Sequence, residues 1–217
     1  METDGRGRDM TQDWLDRWDK GRTGWHETNG NAGLKAHWIG AAGRVLVPLC
    51  GKSPDLAWLA DRGHQVVGVE LAEKAIVDFF EEQHLAFDRA DAGPMTRFEA
   101  KDADITIFCG DYFQLTDQSF DALYDRGALV AVDPSIRSRY VEHTKSLLAE
   151  NSMRLIVTLE YDQAVTPGPP FSVQAAEMID FWPDLVRIAE HDDIDNCPPK
   201  FIAAGLQAIS EVVWRSG

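Results

Sequence analysis

A chain of 217 residues with 44% hydrophobic side chains is long enough to bury a substantial core. Its formal net charge of −15 and pI of about 4.7 set its average field against nucleic-acid phosphates and anionic membrane faces, so neither is expected as a partner. Cys50, Cys109 and Cys197 are widely spaced, with no CxxC pair and no His/Cys cluster, so they read as reduced thiols and no metal site is expected. The opening "METDGRGRDM" is polar where a signal peptide is apolar, and no run approaches the roughly 18 apolar residues of a membrane span. The reading is a soluble, cytoplasmic protein.

The first periodic segment, "TQDWLDRWDKGRTGWHE", sets Trp14 and Trp18 four residues apart on one helical face. Gly21 and Gly24 then loosen the chain before Trp25. A strand is expected over 44–49 and a helix over 54–62. Ser53 suits the cap of that helix, Pro54 its first position, Asp55 its positive end and Gly63 its stop. Further strands are expected over 65–71, 105–109, 120–124 and 153–161, with helices over 73–84 and 135–149. This alternation predicts successive βα units around a parallel sheet. No repeat or linker interrupts it. One domain over 1–217 is expected, with 1–10 flexible and 11–40 forming an N-terminal cover. The runs "LVRIAEHDDI" and "LQAISEVVW" predict an antiparallel pair closing the sheet edge.

Ligands of open α/β sheets bind beyond the carboxyl ends of the strands, so the residues just after each strand carry the chemistry. Gly51 follows the first strand, where the lack of a side chain lets a ligand approach the backbone. Glu70 closes the second strand 19 residues later, at the spacing of an acid that accepts hydrogen bonds from ribose hydroxyls. Asp111 follows the third strand in "FCGDYF", and Asp125 and Arg126 follow the fourth in "LYDRGAL". The set predicts a nucleoside ligand. The first loop lacks GxGxxG, which argues against NAD and an oxidoreductase. S-adenosylmethionine has no phosphates, and its sulfonium cation suits a cleft rich in carboxylates.

The stretches "WLDRWDKGRTGWH", "PLCGKSPDLAWLADRGHQVVGVEL", "YDRGALVAVDP" and "LEYDQAVTPGPPFSV" together resemble the thiopurine S-methyltransferase family over nearly the whole chain. The resemblance implies a Rossmann-like class I methyltransferase, with a seven-stranded, mostly parallel sheet, helices on both faces and an N-terminal helical lid. It implies S-adenosylmethionine as cofactor and methyl transfer to sulfur. Carried over residue by residue, it puts Trp14 and Trp18 near the cofactor and Leu49 and Gly51 along its methionine end. Glu70, with Leu71 beside it, would hold the ribose, and Asp111 with Tyr112 would flank the adenine. Arg126 would face the acceptor and border the cofactor. Two departures stand out: Trp25 precedes His26 where the family has Phe, which narrows the acceptor pocket, and Lys200 is the nearest candidate for a second basic residue.

Under this reading a small-molecule thiol binds as acceptor to a monomeric enzyme. Arg126 favours the thiolate, and Asp125 or His26 takes the proton. Hydrogen sulfide, methanethiol and selenium or tellurium species are alternative acceptors. A catalytically silent nucleoside-binding regulatory protein is the alternative from another class.

Overall fold

The computed structural model describes residues 10–216; residues 1–9, most of the stretch expected to be flexible, lie outside the described residues. The chain runs α1 (Met10–Asp19), α2 (Ala32–His37), β1 (Arg44–Val47), α3 (Asp55–Ala60), β2 (Gln65–Glu70), α4 (Glu73–Glu82), β3 (Phe87–Ala92), β4 (Met95–Ala100) and β5 (Ile105–Cys109). It continues through β6 (Phe120–Arg126), α5 (Arg137–Ser146), β7 (Leu148–Glu160), α6 (Ala175–Phe181), β8 (Leu185–Asp192), α7 (Pro199–Ala203) and β9 (Ser210–Ser216).

Among the described residues all the strands join one sheet, in the order β3-β4-β5-β2-β1-β6-β7-β9-β8. The five central strands, β5 to β7 in that order, are parallel, while β3, β4, β8 and β9 pair antiparallel at the two edges. The expected seven strands are therefore nine, and the antiparallel share is larger than expected. The β8–β9 pair lies where the two late apolar runs placed it. The additional element is the β3–β4 hairpin, turned at Gly93 and Pro94. Its outer strand, "FDRADA", is mostly exposed and charged, the usual protection of a free sheet edge.

Alternation along each central strand feeds two cores. Val45, Val47, Val66, Leu155 and Val157 pack with Leu34 of α2, Leu56 and Leu59 of α3, and Ile76, Phe79 and Phe80 of α4. Leu46, Val67, Leu123 and Ile156 point the other way, against Tyr140 and Val141 of α5 and Met178 of α6. Among the described residues no helix is long and apolar enough to cross a membrane.

The N-terminal segment is packed, not a separate lid. Trp18 of α1 is 4% exposed, docked on Ala72 and Ala75 at the start of α4, with Leu15 and Trp25 against it. Leu34 of α2 belongs to the core outright. What was expected as a lid is thus one helix fastened to the rim and a second built into the core.

Gly68, in the middle of β2, marks where the first crossover presses on the sheet. A Cβ there would lie 2.7 Å from Cys50 Sγ, 3.1 Å from Leu56 Cδ2 and 3.3 Å from Ile107 Cγ1. Gly68→Ala is expected to lower stability by about 1–3 kcal/mol, read from the midpoint of urea unfolding. Combining it with Cys50→Ala, which removes the nearest atom, is expected to recover part of the loss; a double variant no better than the single one would put the crowding elsewhere.

Candidate active site

The site forms at the carboxyl ends of the parallel strands. After β1 the chain turns through Leu49 (φ 46°) and Gly51 (φ 55°), and Cys50 N–H donates to Val69 O at 3.0 Å, tying the turn to β2. Both φ values are left-handed, and only the glycine adopts this without strain. Gly51 has a second constraint: a Cβ there would sit 3.1 Å from the indole Cζ2 of Trp18.

Glu70, 7% exposed at the end of β2, accepts from Gly51 N–H at 2.9 Å through Oε2 and from Ala72 N–H at 2.8 Å through Oε1. Burial raises its pKa, and the N–H groups of Ala72, Gly51 and Leu71 oppose that rise by favouring the carboxylate. After β5, Asp111 Oδ1 accepts from Phe113 N–H at 3.0 Å and opens a single 3-10 turn, Tyr112–Gln114. Tyr112 is buried on Tyr140, ring centroids 5.3 Å apart, with its hydroxyl 2.9 Å from Thr144 Oγ1. Burial pushes its phenol well up, so it stays neutral.

Arg126 closes β6. Its Nη1 donates to Trp25 O at 2.8 Å and its Nη2 to Glu27 Oε1, which fastens the N-terminal segment to the sheet. Burial alone would lower the arginine's pKa, but Glu27 and, further off, Glu211 and Asp55 outweigh it. Trp25 meets Trp14 and Trp18 edge to face, at centroid distances of 5.2 and 5.9 Å. His26 Nε2 lies 4.0 Å from Glu82 Oε2, whose other oxygen holds Lys52 Nζ at 2.5 Å. Burial and the Lys52 ammonium lower the pKa of His26, so the imidazole is neutral at neutral pH.

A polar cluster lies behind Glu27. Asn31 Nδ2 donates to Glu27 Oε2 at 3.4 Å and to Glu211 Oε2 at 3.3 Å, while Asn31 N–H donates to Asp55 Oδ1 at 2.9 Å. Tyr124 O–H donates to the other oxygen of Asp55 at 2.7 Å. Burial raises the pKa of Glu27, with Glu211 and Asp55 adding to the rise and Arg126 opposing it.

A cavity of about 520 Å³ runs across these elements. Leu49, Gly51, Glu70, Leu71, Asp111 and Tyr112 line one side. Trp14, Trp18, Trp25, His26 and Arg126 also face it. Eleven residues singled out in the sequence thus share one chamber.

Two do not. Asp125 is one residue from Arg126 on the same strand, so its side chain goes to the opposite face of the sheet. It is 1% exposed and accepts from Tyr140 O–H at 2.7 Å and Leu129 N–H at 3.0 Å. Burial pushes its pKa up to about 6 against those bonds, but the carboxyl has no access to the cavity and is corrected from proton acceptor to a strut under α5. Lys200 on α7 donates to Pro169 O at 2.8 Å and lies off the cavity wall. It holds the Pro169–Pro170 loop that does line the wall, and is corrected from acceptor ligand to support.

The sequence reading missed Glu27 and Glu211, both on the wall. Glu211 left a signal: an acid inside the apolar run "AISEVVW" needs an inward partner. Glu27 left none beyond following His26.

A sequence profile of the family described as Thiopurine S-methyltransferase (TPMT) matches residues 10–216. The thiopurine S-methyltransferase of Pseudomonas fluorescens (strain Pf0-1) is 44% identical over 211 residues, covering 93% of this chain and 96% of the relative. That of Bordetella petrii (strain ATCC BAA-461 / DSM 12804 / CCUG 43448) is 40% identical over 211 residues, covering 93% and 95%. Among solved structures, the fold is similar to that of the Burkholderia thailandensis 1,6-didemethyltoxoflavin-N1-methyltransferase crystallised with S-adenosylhomocysteine (TM-score 0.63, 17% identity, 100% of this chain and 93% of that one). It is also similar to the magnesium protoporphyrin IX methyltransferase of Synechocystis PCC 6803 with bound SAM (TM-score 0.62, 14% identity, 97% and 99%). The chain belongs to the thiopurine S-methyltransferase family and is an S-adenosylmethionine-dependent methyltransferase.

Proposed function

We propose that the acceptor is the sulfur of a small-molecule thiol. The observation that carries this reading is the shared chamber: Arg126 and the tryptophan trio face the same cavity as the Gly51–Glu70 pair. Family membership sets aside the alternative of a catalytically silent nucleoside-binding protein.

The residues fit the cofactor. The cavity is of the size that holds ligands of this class. Among the described residues its lining carries six carboxylates, Glu27, Glu70, Asp111, Asp133, Asp193 and Glu211, against four cations, Arg17, Lys52, Arg126 and Arg139. A cationic sulfonium is favoured by that excess. When bound, S-adenosylmethionine supplies an electrophilic methyl group. Glu70 spends one lone pair of each oxygen on backbone and keeps others for ribose hydroxyls, while Asp111 and Tyr112 form the adenine side. Trp14, Trp18, Leu49, Gly51 and Leu71 enclose the remainder.

Acceptor and donor must meet in line and dry, which positioning and water exclusion achieve. Trp25, packed edge-on by Trp14 and Trp18, narrows the acceptor end. Small acceptors, such as methanethiol or sulfide, are a second reading favoured by that crowding. Arg126 holds Trp25 and Glu27 in place while keeping its charge in the chamber. His26 sits on the Lys52 side, near the glycine turn.

Glu70→Ala is expected to weaken S-adenosylhomocysteine binding by roughly 10- to 100-fold, the worth of charge-assisted hydrogen bonds lost together with support of the Gly51 turn. Calorimetry on a folded variant decides it, and an unchanged Kd removes Glu70 from the cofactor site.

Arg126→Met is expected to lower kcat/KM for thiols by roughly 10- to 100-fold and to speed proteolysis near Gly21 and Gly24, because both ties to the N-terminal segment go. Arg126→Lys keeps the charge but not the two-armed grip, so only partial recovery is expected. Wild-type kcat/KM and cleavage rates in Arg126→Met would leave Arg126 no part in the acceptor site.

A further inference from the structure

Methylation of a thiol releases a proton, and the chamber is walled by tryptophans on one side and strands on the other. Of the groups on its wall, Glu70 and Asp111 belong to the cofactor side, Asp133 accepts from Ser135 and Asp193 from Asn196, which leaves His26, Glu27 and Glu211 to compare as takers of that proton. Their neighbours separate them. His26 has the Lys52 ammonium close by, which opposes a second positive charge. Glu27 is ion-paired to Arg126, and taking a proton would cost it that pair. Glu211 has a different setting.

Glu211 is 7% exposed on β9, within an apolar run, and lines the cavity. From the N-terminal segment it faces Asn31, with Glu27 and its partner Arg126 beyond and Asp55 behind Asn31 N–H. From β7 it faces Leu159, its partner in register. From the edge strand β8 it faces His191, whose Nε2 lies 3.2 Å from Glu211 Oε1 and whose side chain is 47% exposed. One carboxylate therefore touches the chamber on one side and a solvent-facing imidazole on the other.

We propose that Glu211 accepts the proton of the acceptor thiol and hands it to His191, which releases it to water. This rests on the thiol reading above. The S–H bond breaks with its electron pair left on sulfur, where that pair forms the bond to the incoming methyl group while the donor's C–S pair stays with the departing sulfur. The proton forms an O–H bond on Glu211, then bonds to Nε2 of His191 in the tautomer that carries its hydrogen on Nδ1. The imidazolium loses a proton to solvent, and both groups return to their starting charge.

A base matters most for an acceptor that arrives protonated, so the test compares two thiols of different acidity, benzenethiol and the less acidic 2-mercaptoethanol. Glu211→Gln is expected to cost about 100-fold or more in kcat/KM for 2-mercaptoethanol, within the range of general-base contributions, and markedly less for benzenethiol. Glu211→Asp, which keeps a carboxylate, is expected to restore part of the loss, and imidazole buffer is expected to speed His191→Asn more than wild type. A binding readout stands beside the kinetics: with S-adenosylhomocysteine present, bound 4-nitrobenzenethiol is expected to ionise at lower pH in Glu211→Gln, because a carboxylate next to the sulfur opposes its negative charge.

Equal losses for both thiols, or an unmoved ionisation midpoint, overturn the proposal while leaving thiol methylation in place. A wild-type enzyme that methylates neither thiol overturns the thiol reading and this proposal with it.

Discussion

Glu70 spends its two carboxylate oxygens on backbone N–H groups from two different connections, Gly51 after β1 and Ala72 before α4. A buried carboxylate is stable only with such partners, and the partners in turn have fixed positions only because the carboxylate is there. The turn at Leu49 to Gly51 is consequently held open in a left-handed conformation with Trp18 stacked over it. Trp18 reaches that place because α1 is docked on Ala75 and on Ala72, the residue whose N–H Glu70 accepts. The rim of the proposed cofactor side is thus one connected object, from the end of β2 through two loops to the first helix.

The proposed acceptor side is built by a second tie of the same kind, made with an arginine. Arg126 joins the end of β6 to Trp25 and Glu27, and Asn31 carries the connection on to Asp55 and Glu211. The N-terminal segment is therefore fastened at both ends of the chamber, by apolar docking at Trp18 and by charge at Glu27. Its α2 lies in the core with Leu34. These contacts explain why the segment forms a wall and not a free cover.

How legible all this was in sequence depended on the kind of interaction. The central strands were legible because parallel strands buried on both faces read as continuous apolar runs, as in β1 and β2. The β3–β4 hairpin was not, because "FDRADA" is an exposed edge with no alternation to detect. Gly51, Glu70 and Asp111 were legible as cavity-lining residues because they stand at or just past a strand end. Asp125 shows the limit of that rule: its neighbour Arg126 points into the chamber, and strand alternation sends Asp125 to α5 instead. Asn31 and Glu211 stand 180 residues apart, so no local pattern announces their meeting. Lys200 was placed by analogy alone, and its carbonyl partners at Pro169 and Gly168 keep it off the wall.

The balance of charge along the cavity links its two halves. Six carboxylates against four cations favour a positively charged donor, and the same field opposes an acceptor that arrives as an anion. Arg126 softens this only in part, because Glu27 already takes much of its charge. On the thiol reading proposed above, such a chamber favours the acceptor's neutral form, so its ionisation would occur on site, alongside the chemistry that consumes the thiolate. An acidic chamber suited to a cationic donor therefore requires a route by which the acceptor's proton leaves. The proposed pair of Glu211 on β9 and His191 on the edge strand β8 would provide such a route.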